Sequence, residues 1–78
     1  MKCIAKLVYD DKIWLSDVRT DDGKPICLRL ESGSFDALVE RVKTALPEML
    51  ELNFNYGGNV ELSFEAERID TIRGAQAV

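Results

Sequence analysis

At 78 residues the chain is long enough for one domain and too short for two, because a single core becomes self-sufficient only at about 50 to 60 residues. Its content of 46% hydrophobic and 31% charged residues argues against disorder. Ten Lys and Arg against fourteen Asp and Glu leave a net charge of -4, which repels phosphate backbones, removes the usual electrostatic footing for nucleic-acid binding and favours a basic partner.

In chain order, Lys2 to Tyr9 carries Ile4, Leu7 and Val8, Lys12 to Val18 carries Ile13, Trp14 and Leu15, and Asp10-Asp11 lies between. This pattern predicts a β-hairpin. A three-residue turn at Asp10 to Lys12 would pair Tyr9 with Ile13, placing Ala5, Leu7, Tyr9, Ile13 and Leu15 on one face and Ile4, Val8, Trp14 and Val18 on the other. Both faces are then apolar, so each requires cover. Asp21-Asp22-Gly23 forms a polar turn, and the alternation of Ile26, Leu28 and Leu30 against Cys27 and Arg29 predicts a third strand over Ile26 to Glu31.

Ser32-Gly33-Ser34 breaks that strand, Ser34 can cap a helix, and Asp36 suits the positive end of its dipole. Apolar residues at Phe35, Leu38, Val39, Val42, Leu46, Met49 and Leu50 follow the i, i+3, i+4, i+7 series of an amphipathic helix. Pro47 interrupts the series and removes the bond to the Lys43 carbonyl, which predicts a kink and a second short turn over Pro47 to Leu52. Asn53 to Asn59 reads as a loop, with Gly57-Gly58 in a turn. Val60, Leu62, Phe64 and Ala66 then alternate with Glu61, Ser63, Glu65 and Glu67 in a strand that is apolar on one side and acidic on the other. The alternation slips at Arg68 and Ile69, where a bulge or strand end is expected, and Gly74 to Val78 reads as a frayed tail.

The resulting order, β-β-β-α-β, predicts one α+β domain over residues 1 to 78. The fourth strand should return parallel to the first and beside it. One helix covers one face of the sheet, and the other face, assigned Ile4, Val8, Trp14 and Val18, is left without cover. Trp14 there suits an interface centre and an ordinary core equally well. The stripe Glu61, Glu65 and Glu67 serves either as the wet face of an edge strand or as a docking surface for a basic protein. These seven residues are the expected interface.

No catalytic residue, metal or cofactor is expected. The chain has no histidine, which removes the commonest general base and one of the usual zinc ligands. Cys3 and Cys27 stand alone in apolar runs and read as buried, reduced thiols. Gly57-Gly58 has no helix after it and does not resemble a phosphate loop. The element order resembles the opening of the ribonuclease H fold, yet the first strand interior, Cys3-Ile4-Ala5-Lys6-Leu7-Val8, lacks the acidic metal ligand of those enzymes. Asp36 and Glu40 read as solvated helix charges, and Asp10 with Asp11 as turn formers. The start of the chain lacks the ~7 to 15 residue apolar run of a signal peptide, and no segment approaches the ~20 apolar residues of a membrane span. A cytoplasmic location is expected.

The segments Ile13 to Asp17 and Leu30 to Asn53 resemble the HicB-like antitoxins, in particular a small uncharacterised subfamily without a DNA-binding tail. Ser34-Phe35-Asp36-Ala37-Leu38-Val39-Glu40-Arg41-Val42 and Leu46-Pro47-Glu48-Met49-Leu50-Glu51-Leu52-Asn53 carry the likeness, including the proline inside the helix. The resemblance implies a partial ribonuclease-H-like domain without nuclease activity. It also implies self-association into dimers or higher oligomers, and a small basic HicA-like toxin as partner. Direct binding to nucleic acid or membrane is not implied. A self-assembling domain without a toxin is the alternative expectation.

Overall fold

The structure, a computed structural model, describes residues 1–26, 28–68 and 72–75. Its elements are β1 (Lys2–Asp10), β2 (Ile13–Thr20), β3 (Glu31–Ser32), α1 (Phe35–Phe54) and β4 (Glu61–Arg68). They form a mixed four-stranded sheet in the order β3-β2-β1-β4 with the single helix on one face. β4 lies parallel to β1, and the other neighbours are antiparallel. The α+β class, the element order and the place of the fourth strand all match the sequence expectation.

The hairpin turn differs from that expectation by one residue. Asp10 pairs with Ile13 and Tyr9 with Trp14, so the loop is only Asp11-Lys12, with φ of 48° and 67°. Two consecutive residues in the left-handed region make the primed turn whose twist matches that of the flanking strands. A one-residue change in register turns every β2 side chain over. Trp14 and Val18 therefore face the helix, not the open side, while Ile13 and Leu15 move to the open side, the side of Ile4 and Val8.

The core lies between the helix and the sheet. Cys3, Ala5 and Leu7 from β1, Val18 from β2, and Ile26 and Leu28 from the following segment are buried against Leu38, Val42, Leu46 and Leu50 of α1. The last four recur every four residues, which lines them up along one helix face. Ser34 caps the helix by accepting a hydrogen bond from the Ala37 N–H at 3.3 Å. At the other end, Asn55 adopts φ 52°, its N–H donates to Glu51 O at 3.0 Å, and the Tyr56 N–H donates to Leu50 O at 3.2 Å. This is a Schellman-type ending that uses carbonyls the helix leaves open.

No break occurs at Pro47, and the helix continues through it to Phe54. Leu46 and Leu50, buried on either side of the proline, hold both halves to the same core, which outweighs the missing backbone bond. After the helix, the loop turns at Gly58, where the Tyr56 ring lies so close that an added Cβ would stand 2.6 Å from its Oη. That hydroxyl donates to Asn59 O at 2.5 Å and steers the chain into β4.

The third strand is much shorter than its alternation suggests. Ile26 N–H donates to Val18 O at 3.2 Å, and Ser16 N–H donates to Leu30 O at 2.9 Å. Between these two bonds β2 advances by two residues and the edge segment by four, so the edge bulges, and among the described residues it pairs regularly only at Glu31–Ser32. Bulges of this kind favour sheet edges. Buried Ser16 repairs the ladder, because its Oγ accepts from the Leu30 N–H at 3.0 Å. Asn53 Nδ2 donates to Ile26 O at 2.9 Å and ties the same segment to the helix. Ser16→Ala strips Leu30 of this acceptor, and we expect a loss of about 1 to 2 kcal/mol, read as a lower urea midpoint at unchanged slope. An unchanged midpoint would show that the edge does not depend on the hydroxyl. The expected features at Ile69 and Cys27, and over Gln76 to Val78, lie outside the described residues.

Candidate functional site: the open face of the sheet

A lone helix covers one face of the sheet, and among the described residues no element covers the other. Across that face from β2 through β1 to β4, the register sets three rows: Arg19, Ile4 and Ser63; Asp17, Lys6 and Glu65; Leu15, Val8 and Glu67. Lys2 and Glu61 adjoin one end, and Ile13 and Asp10 the other.

Three apolar side chains gather at one end of this face, and a fourth stands apart. Ile13 and Leu15 are 40% and 41% exposed with Val8 half-buried beside them, whereas half-buried Ile4 lies two rows away, beyond Lys6 and Asp17. Val8, Leu15 and Leu30 line a hollow of about 540 Å³ with Lys6, Asp17 and Arg29 at its rim. On β4 the acidic residues form a border to this patch. Lys6 Nζ reaches Glu67 Oε2 at 3.1 Å, and Arg19 Nε reaches Asp17 Oδ2 at 3.1 Å. Exposed pairs such as these contribute about 0 to 1 kcal/mol each. Among the described residues Glu61 and Glu65 have no ion-pair partner, so that border keeps a negative field.

Of the seven expected interface residues, the structure brings five together on this face: Ile4, Val8, Glu61, Glu65 and Glu67. The other two, Trp14 and Val18, belong to the helix side. Val18 is fully buried, and Trp14 packs between Tyr9, with ring centres 5.1 Å apart, and Phe35 at 4.9 Å. Ile13 and Leu15 take their place on the open face. The turn at Asp11-Lys12 gave little signal, since without a glycine it does not announce its primed geometry, but Asp17 and Arg19, which alternate with Val18 and Thr20, mark the side of Ile13 and Leu15 as the solvent side.

Among the described residues the reactive residue types are scattered. Cys3 is buried in the core, and burial pushes its thiol pKa up, which suppresses the nucleophilic thiolate. Asp36 and Glu40 are exposed on the helix. Among the described residues no three Cys, Asp or Glu side chains stand close enough to hold a metal ion, and no helix is long and apolar enough to cross a membrane.

The fold and this face define a small α+β domain in which one helix closes one side of a mixed sheet and, among the described residues, the other side is open. The chain belongs to the DUF1902 family, a domain of unknown function whose match spans residues 2–74. No curated protein and no solved structure matches it.

Proposed function

We propose that this chain is a non-enzymatic protein-binding domain of the HicB-like antitoxin type, which neutralises or sequesters a small basic partner against its open sheet face. The observation that carries the reading is the register, which sets Glu61, Glu65 and Glu67 in one line at the side of a face whose apolar group is Val8, Ile13 and Leu15. An apolar group with an acidic strand at one side suits a protein interface, since burial holds the complex together and the acidic line steers and selects the partner. The likeness of the helix segment to the small HicB-related subfamily supports the same reading, as does the scatter of the reactive residue types.

Coexpression with a HicA-like toxin tests it. The expected result is copurification and relief of toxin-dependent growth arrest. The double charge reversal Glu61→Lys with Glu65→Lys should weaken the complex by about tenfold or more and flatten its salt dependence. No copurification at low salt, or a complex indifferent to the reversal, would overturn the reading. The exposure of Ile13 and Leu15 also favours a second reading, self-association through the same patch.

A further inference from the structure

We infer that the outer edge of β4 accepts an extended segment of the partner as a fifth strand, one whose residues alternate between basic and apolar. The inference rests on the proposal that the chain binds a basic protein, and it specifies how.

Among the described residues β4 pairs only with β1. The Glu61 N–H donates to Met1 O at 2.9 Å. In a parallel ladder, alternate residues turn both backbone groups to the same neighbour. Glu61, Ser63, Glu65 and Glu67 therefore bond inward to β1, and Leu62, Phe64 and Ala66 present their N–H and C=O groups to the outer edge. This edge contains neither proline nor glycine and runs for eight residues, enough for strand addition.

The two sides of the edge ask for different side chains. On the helix side, Leu46 and Pro47 of α1 overhang Val60, Leu62 and Phe64 around a hollow of about 350 Å³, with Lys43 at its rim. An added strand would direct every second side chain toward this apolar hollow. Its remaining side chains would stand on the open face beside Glu61, Glu65 and Glu67, where lysine or arginine is favoured.

A second copy of the chain does not meet this requirement. Two β4 strands related by a two-fold axis through the sheet pair antiparallel, with residues of the same face opposite one another. Every such register that pairs more than three residues of β4 sets at least two glutamates opposite one another, and directly opposed like charges are destabilising. The acidic stripe thus guards the edge against self-pairing while leaving it open to a basic strand.

The test uses the full chain, ¹⁵N-labelled, and short peptides in which lysine and valine alternate, glutamate and valine alternate, or lysine and valine are segregated into two blocks. The alternating lysine–valine peptide should bind and slow amide exchange at Leu62, Phe64 and Ala66 by about tenfold or more, with Ser63 and Glu65 unchanged. The glutamate peptide should not bind, and the block peptide should bind without protecting those three amides. Ala66→Pro removes an outward N–H without touching the bonds to β1, and should weaken the alternating peptide by about tenfold. Should that variant unfold, the exchange pattern of the native chain still decides the matter. Unchanged exchange at Leu62, Phe64 and Ala66 on saturation, or no binding by the alternating peptide, would overturn the inference. Normal toxin capture by a folded Ala66→Pro variant would do the same and leave the antitoxin reading standing, whereas failure of the native chain to capture toxin would sink that reading instead.

Discussion

Trp14→Lys is expected to lower the unfolding free energy by about 2 to 4 kcal/mol, whereas Leu15→Lys, at the next residue, should change it by less than about 1 kcal/mol. Trp14 is half-buried, in contact with Tyr9 and Phe35 on the helix side. A lysine there loses two aromatic contacts and leaves an ammonium group against the helix. Leu15 is already 41% exposed on the open face, and its amine would extend into water. The loss at Trp14 is large for a chain of 78 residues, whose whole stability is on the order of 4 to 12 kcal/mol. Urea unfolding followed by far-ultraviolet circular dichroism measures both variants, since the sole tryptophan is gone from the first. Equal losses in the two would contradict the assignment of faces. The same pair separates folding from association: if copies of the chain associate through the open face, Leu15→Lys lowers the mass in solution while the fold survives.

Pro47→Ala is expected to stabilise the domain by about 1 to 3 kcal/mol, a rise in Tm of about 4 to 8 °C for each kcal/mol. Pro47 stands well inside the helix Phe35–Phe54 and is exposed, so its replacement restores an N–H for the Lys43 carbonyl without opening a core cavity. Part of the gain is offset because proline also restricts the unfolded chain. Thermal unfolding monitored at the helix signal reads the result. A neutral or lower Tm would mean that the ring is held by its neighbours around the hollow beside Val60, Leu62 and Phe64, and would mark Pro47 as part of that surface. Binding of the alternating lysine–valine peptide by the same variant would then show whether the overhang matters to the edge.

Much of this molecule was legible from local pattern. The helix was readable because Leu38, Val42, Leu46 and Leu50 repeat at its own period, and its start because Ser34 has the side chain a cap requires. The alternation in β4 separated Leu62 and Phe64 from Glu61, Glu65 and Glu67, and the structure keeps that separation. The bulged edge before β3 was not legible, because Ile26, Leu28 and Leu30 alternate as a regular strand would. Their pairing depends on a buried serine hydroxyl far away in sequence, on Ser16. Pro47 misled for a related reason: propensity is a local quantity, and the two leucines that override it act through the sheet.

By itself, the sequence determined the class of the fold, the order of its elements, the single amphipathic helix and the acidic side of β4, since each follows from the period of apolar residues along a short stretch of chain. Only the tertiary structure decided which side of β2 meets the helix, and with it the composition of the open face. That choice rests on whether two residues or three make the turn at Asp11-Lys12. Turning β2 over would bury Asp17 and Arg19 against the helix in place of Val18 and Thr20, and the observed register also pairs Trp14 with Tyr9 across the hairpin and with Phe35 once the helix is in place.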